Sequence, residues 1–207
     1  MDSRPHLQIA GHLTVADWKA RHAVLLANPA PDIWRTAFDD FIGSRLELRY
    51  LKPIAQLQSG SGYSGVGFSV VTIQCTLLEF LAAASRGLTY RNGGALNAFE
   101  YSGSKALFTN FLSTEAPFNA QFDLALAEDF YANVRCGLLH EARTKGGWTI
   151  LADDVGGRMI DPVGKVVFRN SLQRAIGTYT EAFRNKVSTD IPSRDAFVRK
   201  MEGLCQE

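Results

Sequence analysis

The segment NVRCGLLHEART, Asn133 to Thr144, sets an arginine and a histidine five positions apart at what reads as a helix end. Histidine exchanges protons near neutral pH, and arginine is a permanent cation carrying a fork of N–H donors. Arg143 and Lys145 follow at once and are available to hold phosphate. On an ideal helix five positions turn about 500°, which leaves Arg135 and His140 about 140° apart with a rise of about 7.5 Å. One copy therefore aims both at a small target only if the helix frays at Gly137 or stops near His140. Two copies facing each other across a two-fold axis need no such break. Helical spacing puts Glu128 on the stripe of Arg135, two turns away, where it can hold the guanidinium through an intermediate group. It also puts Tyr131 four residues before Arg135, and Asn133 seven before His140, where it can orient the imidazole. Cys136 and His140, four apart on one face, suggest a Cys–His nucleophile, but no third member or oxyanion hole is marked. The plain alternative is that Arg135 pairs with an acid, His140 caps the helix C-terminus, where positive charge is favourable, and nothing is catalysed.

Two other patterns imitate chemistry. Gly60, Gly62 and Gly65 fit GxGxxG, and Tyr101 and Lys105 fit YxxxK. A dinucleotide fingerprint needs a buried strand before the glycines. Here the preceding RLELRYLKPIAQLQ is charged and helical in period, so the stretch 59–67 reads as an inter-helix loop. Gly43-Ser44 resembles the opening of a nucleotidyltransferase motif, but no D-x-D follows to hold Mg²⁺. His6, His12 and His22 have no partner at metal-ligand spacing, and Asp153-Asp154 beside Gly156-Gly157 reads as a turn. No metal site and no cofactor is expected.

The elements that position the motif are mostly helical. Thr14 with Asp17 three residues on forms a capping box for a helix to about Ala27. A second helix starts near Asp32 and runs toward Tyr50, and Pro53 is expected to kink or interrupt it. Phe68 to Ser85 is an apolar helix containing the polar Gln74 and Glu79. Another helix lies within Ala95 to Leu112. Pro117 opens a long helix with Phe118, Phe122, Leu126 and Phe130 inward, ending near His140 or Ala142. WTILA and KVVF, separated by the turn DPVG, read as a hairpin or three short strands over 148–168. Helices return at Asn170 to Lys186 and from DIPSRDAF to near Leu204. The fold class is mainly α, a helical bundle with a small β insertion, read as a single domain over 1–207.

Composition sets bounds on partners. Of 207 residues, 46% are hydrophobic and 21% charged, as in a globular protein. The net charge of +1 gives no global signal for nucleic acid, although residues 1–130 carry −2 and 131–207 carry +3. Three unpaired cysteines, Cys75, Cys136 and Cys205, argue against a disulfide framework. The N-terminus lacks the apolar core of a signal peptide, and the Phe68–Ala84 run reads as a buried helix and not a membrane span. The expected location is the cytoplasm.

VRCGLLHEARTKGGW resembles the signature of the HEPN superfamily, R-x4-6-H near the end of a long helix in an all-α bundle. RYLKPI, the glycine loop, GFSVVTIQCTLLEFL and the WTIL strand resemble uncharacterised bacterial HEPN-like proteins over most of the chain. The resemblance implies a metal-independent endoribonuclease that leaves a 2′,3′-cyclic phosphate and a 5′-OH. In such sites the histidine is general acid or base on the ribose 2′-OH, and the arginine stabilises charge developing on the phosphate. It implies Arg135 and His140 as catalytic residues, with Glu128, Tyr131, Asn133 and Cys136 supporting and Arg143 and Lys145 on RNA. It also implies a homodimer through the motif helix, and a role as a toxin or phage-defence protein, with or without an antitoxin partner. The family commonly has a polar residue after the arginine, and Cys136 departs from that. Family members that do not cleave leave a second expectation, an RNA- or nucleotide-binding or protein-interaction module.

Overall fold

The computed structural model describes residues 4–60 and 65–206. The chain is mainly α-helical with small β elements. Two compact units form, each from separated stretches of chain. One comprises Met1–Pro53, Ala83–Ser102 and Glu181–Glu207, and the other Ile54–Ala82 and Gly103–Thr180.

In the first unit, Thr14 caps the helix Val15–Ala27, and the reciprocal contact with Asp17 completes the capping box. The helix Pro31–Phe38 follows and continues through two π turns, Asp39–Gly43 and Glu47–Leu51. Pro53 does not break the chain there: Lys52–Ser59 is helical through it. A π turn shifts the hydrogen-bond register by one residue, so a proline just beyond it, with no N–H of its own, interrupts less of the ladder. Trp18 lies edge-on to Phe41 and Phe197, and Phe38 to Phe183. All five rings are at most 2% exposed and fill the core between the first helix, the second and Ile191–Leu204. Asp190 caps that last helix through the Ser193 N–H. Thr89–Tyr90 and Glu100–Tyr101 form a parallel pair that spacing and composition did not foresee.

The second unit carries the motif. Val66–Ala84 enters it as far as Ala82 and is long and apolar enough to cross a membrane, yet half of its most apolar stretch is buried inside the protein, as in a core helix. The glycine-rich loop lies partly outside the described residues, but what precedes Gly60 is helix and not strand. Helix Ser104–Thr114 takes up the later part of the expected stretch and runs two residues past it; 95–103 is non-helical. Pro117 opens only a single 3₁₀ turn, Phe118–Ala120, and the long helix starts instead at Leu124, where the Asp123 carboxylate accepts from the Leu126 N–H. It continues as a π turn, Tyr131–Arg135, and then Cys136–Glu141. Over 148–168 three short strands form a mixed sheet, with Val166–Phe168 between Thr149–Leu151 and Ile160–Asp161. Asp161 Oδ1 accepts from the N–H groups of Val163 and Gly164 and holds the DPVG turn. Phe108, Phe111, Phe118, Phe122 and Phe130 make the core of this unit.

Candidate functional site

The motif helix is built to end just after His140, at Glu141. Ala142 adopts the left-handed conformation, φ 54°, and the N–H groups of Ala142 and Arg143 both reach the Gly137 carbonyl. The chain then folds back across the helix, and Lys145 N–H donates to the Asn133 carbonyl at 2.8 Å. This return is why residue 137 is glycine: a Cβ there would sit 2.6 Å from the Arg143 carbonyl oxygen.

Arg135 does not face open solvent. Its Nη2 donates to Glu79 Oε2 at 2.7 Å, and the two side chains are only 17% and 18% exposed. Its guanidinium carbon lies 5.3 Å from the centre of the Tyr131 ring, and Tyr131 Oη is 3.0 Å from Ser104 Oγ. Burial by itself lowers the guanidinium pKa, but the hydrogen bond and charge of Glu79 outweigh it and raise it above the usual arginine value. Cys75, one turn before Glu79, is buried, and burial pushes its thiol up to about 12, so it stays protonated.

The acid that holds Arg135 is therefore Glu79 and not Glu128, which pairs with Lys105 at 3.0 Å. The π turn is the reason. It inserts one residue, so everything beyond it is rotated by about 100° relative to a straight α-helix, and Arg135 leaves the stripe of Glu128. Asn133 does not orient His140 either. Its Nδ2 donates to Asp129 Oδ1 at 2.7 Å, and it packs under the returning loop against Gly146. Asp129 also accepts from Trp148 Nε1 at 2.8 Å and Lys165 Nζ at 3.2 Å, which ties the β insertion to the helix. Burial raises its pKa, and these hydrogen bonds overcome that and hold it below the ordinary aspartate value.

His140 sits exposed in the last turn, and its side chain has no hydrogen-bond partner among the described residues. Arg143 and Lys145 are exposed beyond it. Cys136 is half-buried and unoxidised. Within one chain Arg135 faces Glu79 while His140, five helical positions on, faces solvent. On the Arg135 side, Leu138 and Ala142 line a shallow groove with Phe68, Ser69, Thr72 and Ile73. The remaining patterns resolve as structure. Asp154 binds Arg158 through both oxygens, and these hydrogen bonds lower its pKa to about 2. Asp153 accepts from Asn170. His22 stacks on Trp18 beside Glu202. Among the described residues no cluster of histidine, cysteine and carboxylates could hold a metal.

Sequence spacing missed Glu79 as the partner of Arg135, although its signal was present: it is the lone charged residue in the nineteen-residue helix Val66–Ala84. A carboxylate in so apolar a helix needs a cation. No protein-family model, no curated protein and no solved structure matches the chain.

Proposed function

We propose that this protein is a cytoplasmic, HEPN-type, metal-independent endoribonuclease acting as a homodimer through the motif helix, in the manner of a toxin or defence nuclease. The observation that supports it most is the exposure of His140 at a helix end, with no side-chain hydrogen-bond partner among the described residues and with the solvent-facing cations Arg143 and Lys145 beyond it. In this reading His140 takes the proton of a ribose 2′-OH. The 2′-oxygen bonds to phosphorus, the bond to the 5′-oxygen breaks, and that oxygen takes a proton from water as it leaves. Arg135, held charged by Glu79, balances the charge that gathers on the phosphate oxygens. Because the two side chains lie about 140° apart on one helix, the working pair is the histidine of one copy and the arginine of another.

One observation favours a second reading. Glu79 already neutralises Arg135 at 2.7 Å, and a neutralised arginine suits a module that binds RNA, nucleotide or a partner protein without cleaving. The test is cleavage of single-stranded RNA or tRNA in EDTA. Catalysis by His140 requires a loss of about 10²-fold or more in His140→Ala, and a comparable loss in Arg135→Ala. Mixing the two inactive variants should restore about a quarter of the activity, since half the dimers are mixed and each holds one whole site. Unchanged cleavage in His140→Ala, or a strict metal requirement, overturns the nuclease reading.

A further inference from the structure

We infer that the exposed loop between Arg86 and Tyr101 is a stacking platform for single-stranded RNA, built from residues other than those of the motif. Residues 90–99 are all exposed, yet the loop is held in place from both ends. At its foot Thr89 N–H donates to the Phe99 carbonyl at 2.9 Å, and Arg91 N–H to the Tyr101 carbonyl at 2.8 Å. Glu100 accepts from the Asn97 N–H at 2.7 Å and from Arg91 Nη1 at 2.8 Å. Thr89 is seated so tightly on the last helix that a Cβ at Gly203 would lie 2.1 Å from its Oγ1.

What this frame displays is aromatic and cationic. Tyr90 is 53% exposed, and Phe99, of a type that a globular protein ordinarily buries, is 52% exposed. Phe99 has φ 65°, a left-handed conformation that is strained for an L-residue. The strain does not put the ring into the core: it leaves Phe99 half in solvent, with the Arg199 guanidinium carbon 4.2 Å from the ring centre. Tyr90 in turn is set edge-on to Tyr101 at 5.5 Å. Backbone strain retained to present a side chain outward points to a ligand for that side chain. Within 86–101 the only acid is Glu100, whose charge Arg91 meets, which leaves Arg86 exposed, and Arg199 stands over the ring. Fixed aromatic faces among guanidinium groups suit nucleobases joined by phosphates, with each stacked base favoured whatever its identity. Glu202, also exposed near Arg199, weakens the field there and makes stacking, not phosphate charge, the larger contribution.

The choice of RNA over another polyanion or a protein rests on the nuclease reading, and the test separates the two. Binding of a short fluorescein-labelled oligouridylate is measured by anisotropy on the full chain in a His140→Ala background, so that the probe stays intact. Phe99→Gly and Tyr90→Ser should each weaken binding at least about five-fold. The melting temperature of Phe99→Gly should not fall, because glycine accepts the left-handed conformation without strain. A role in folding alone would instead lower the melting temperature and leave affinity intact. Affinity equal to the parent in both variants overturns the platform, as does a loss of self-association or partner binding with RNA affinity unchanged. Binding that depends on Tyr90 and Phe99 in a protein that cleaves no RNA leaves the platform standing and removes the nuclease reading.

Discussion

Removing Glu79 tests how Arg135 is held. Glu79→Ala leaves a guanidinium about four-fifths buried with no counter-charge. Stripping one partner from a fully buried pair costs about 3–5 kcal/mol, and from an exposed pair less than about 1 kcal/mol. With side chains 17% and 18% exposed, this pair falls nearer the first case, so the cost is about 2–3 kcal/mol. In a chain of this size that lowers the melting temperature by roughly 4–12 °C. Glu79→Gln keeps an acceptor for Nη2 but no charge, and should cost less than the alanine variant. The double variant Glu79→Ala/Arg135→Met should be more stable than Glu79→Ala alone, because the stranded charge leaves with the arginine and its alkyl volume is kept. Urea unfolding followed by circular dichroism of the parent, Glu79→Ala, Arg135→Met and the double variant gives all four free energies of the cycle. A cost below about 1 kcal/mol for Glu79→Ala, or strictly additive single effects, would show that Arg135 is solvated in solution, and the ion pair would not be what fixes it.

Two further outcomes follow from the geometry around the motif. Ala142→Gly should stabilise the protein by about 1 kcal/mol, since φ 54° at the helix end suits glycine and strains alanine; an unchanged or lower urea midpoint would mean that the helix ends differently in solution. Asp129 has a pKa below the ordinary value in the folded state, so its contribution is present above the unfolded value of about 4 and is lost as pH falls through the folded value. Asp129→Asn should therefore be less stable at neutral pH and show a shallower loss of stability below pH about 4, read from urea midpoints across an acid titration; a parallel pair of curves would refute it.

What was legible in the sequence was local. The Thr14–Asp17 capping box needs only four consecutive residues, and the turn at Asp161–Gly164 needs proline, glycine and an acceptor in order. Apolar runs marked Val66–Ala84 and the helices after Phe168 because their period is a property of single segments. Three of the failures share a cause. Pro53 inside a helix, Arg135 off the stripe of Glu128 and Asn133 turned from His140 all lie at or after π turns. A stripe drawn at 100° per residue is right until one residue is inserted, and then every later assignment is rotated. No residue type announces that insertion.

The motif shows what such a rotation does to a functional reading. On a straight helix Arg135 would lie on the stripe of Glu128, two turns away and 47% exposed, and would face solvent. The π turn delivers the guanidinium to Glu79 in a site that little water reaches, where its charge is fixed and its position set by the Tyr131 ring as well. Rare helical forms persist where the surrounding contacts require them, and here the contact required is between a cation on one helix and the lone carboxylate of the most apolar helix in the chain. Glu79 can be buried only if a cation reaches it. Arg135 reaches it through the π turn, and the ordinary helical rotation from Arg135 to His140 then leaves the histidine in solvent at the helix end. The inserted residue thus accounts for the buried arginine, and the regular helix beyond it for the exposed histidine.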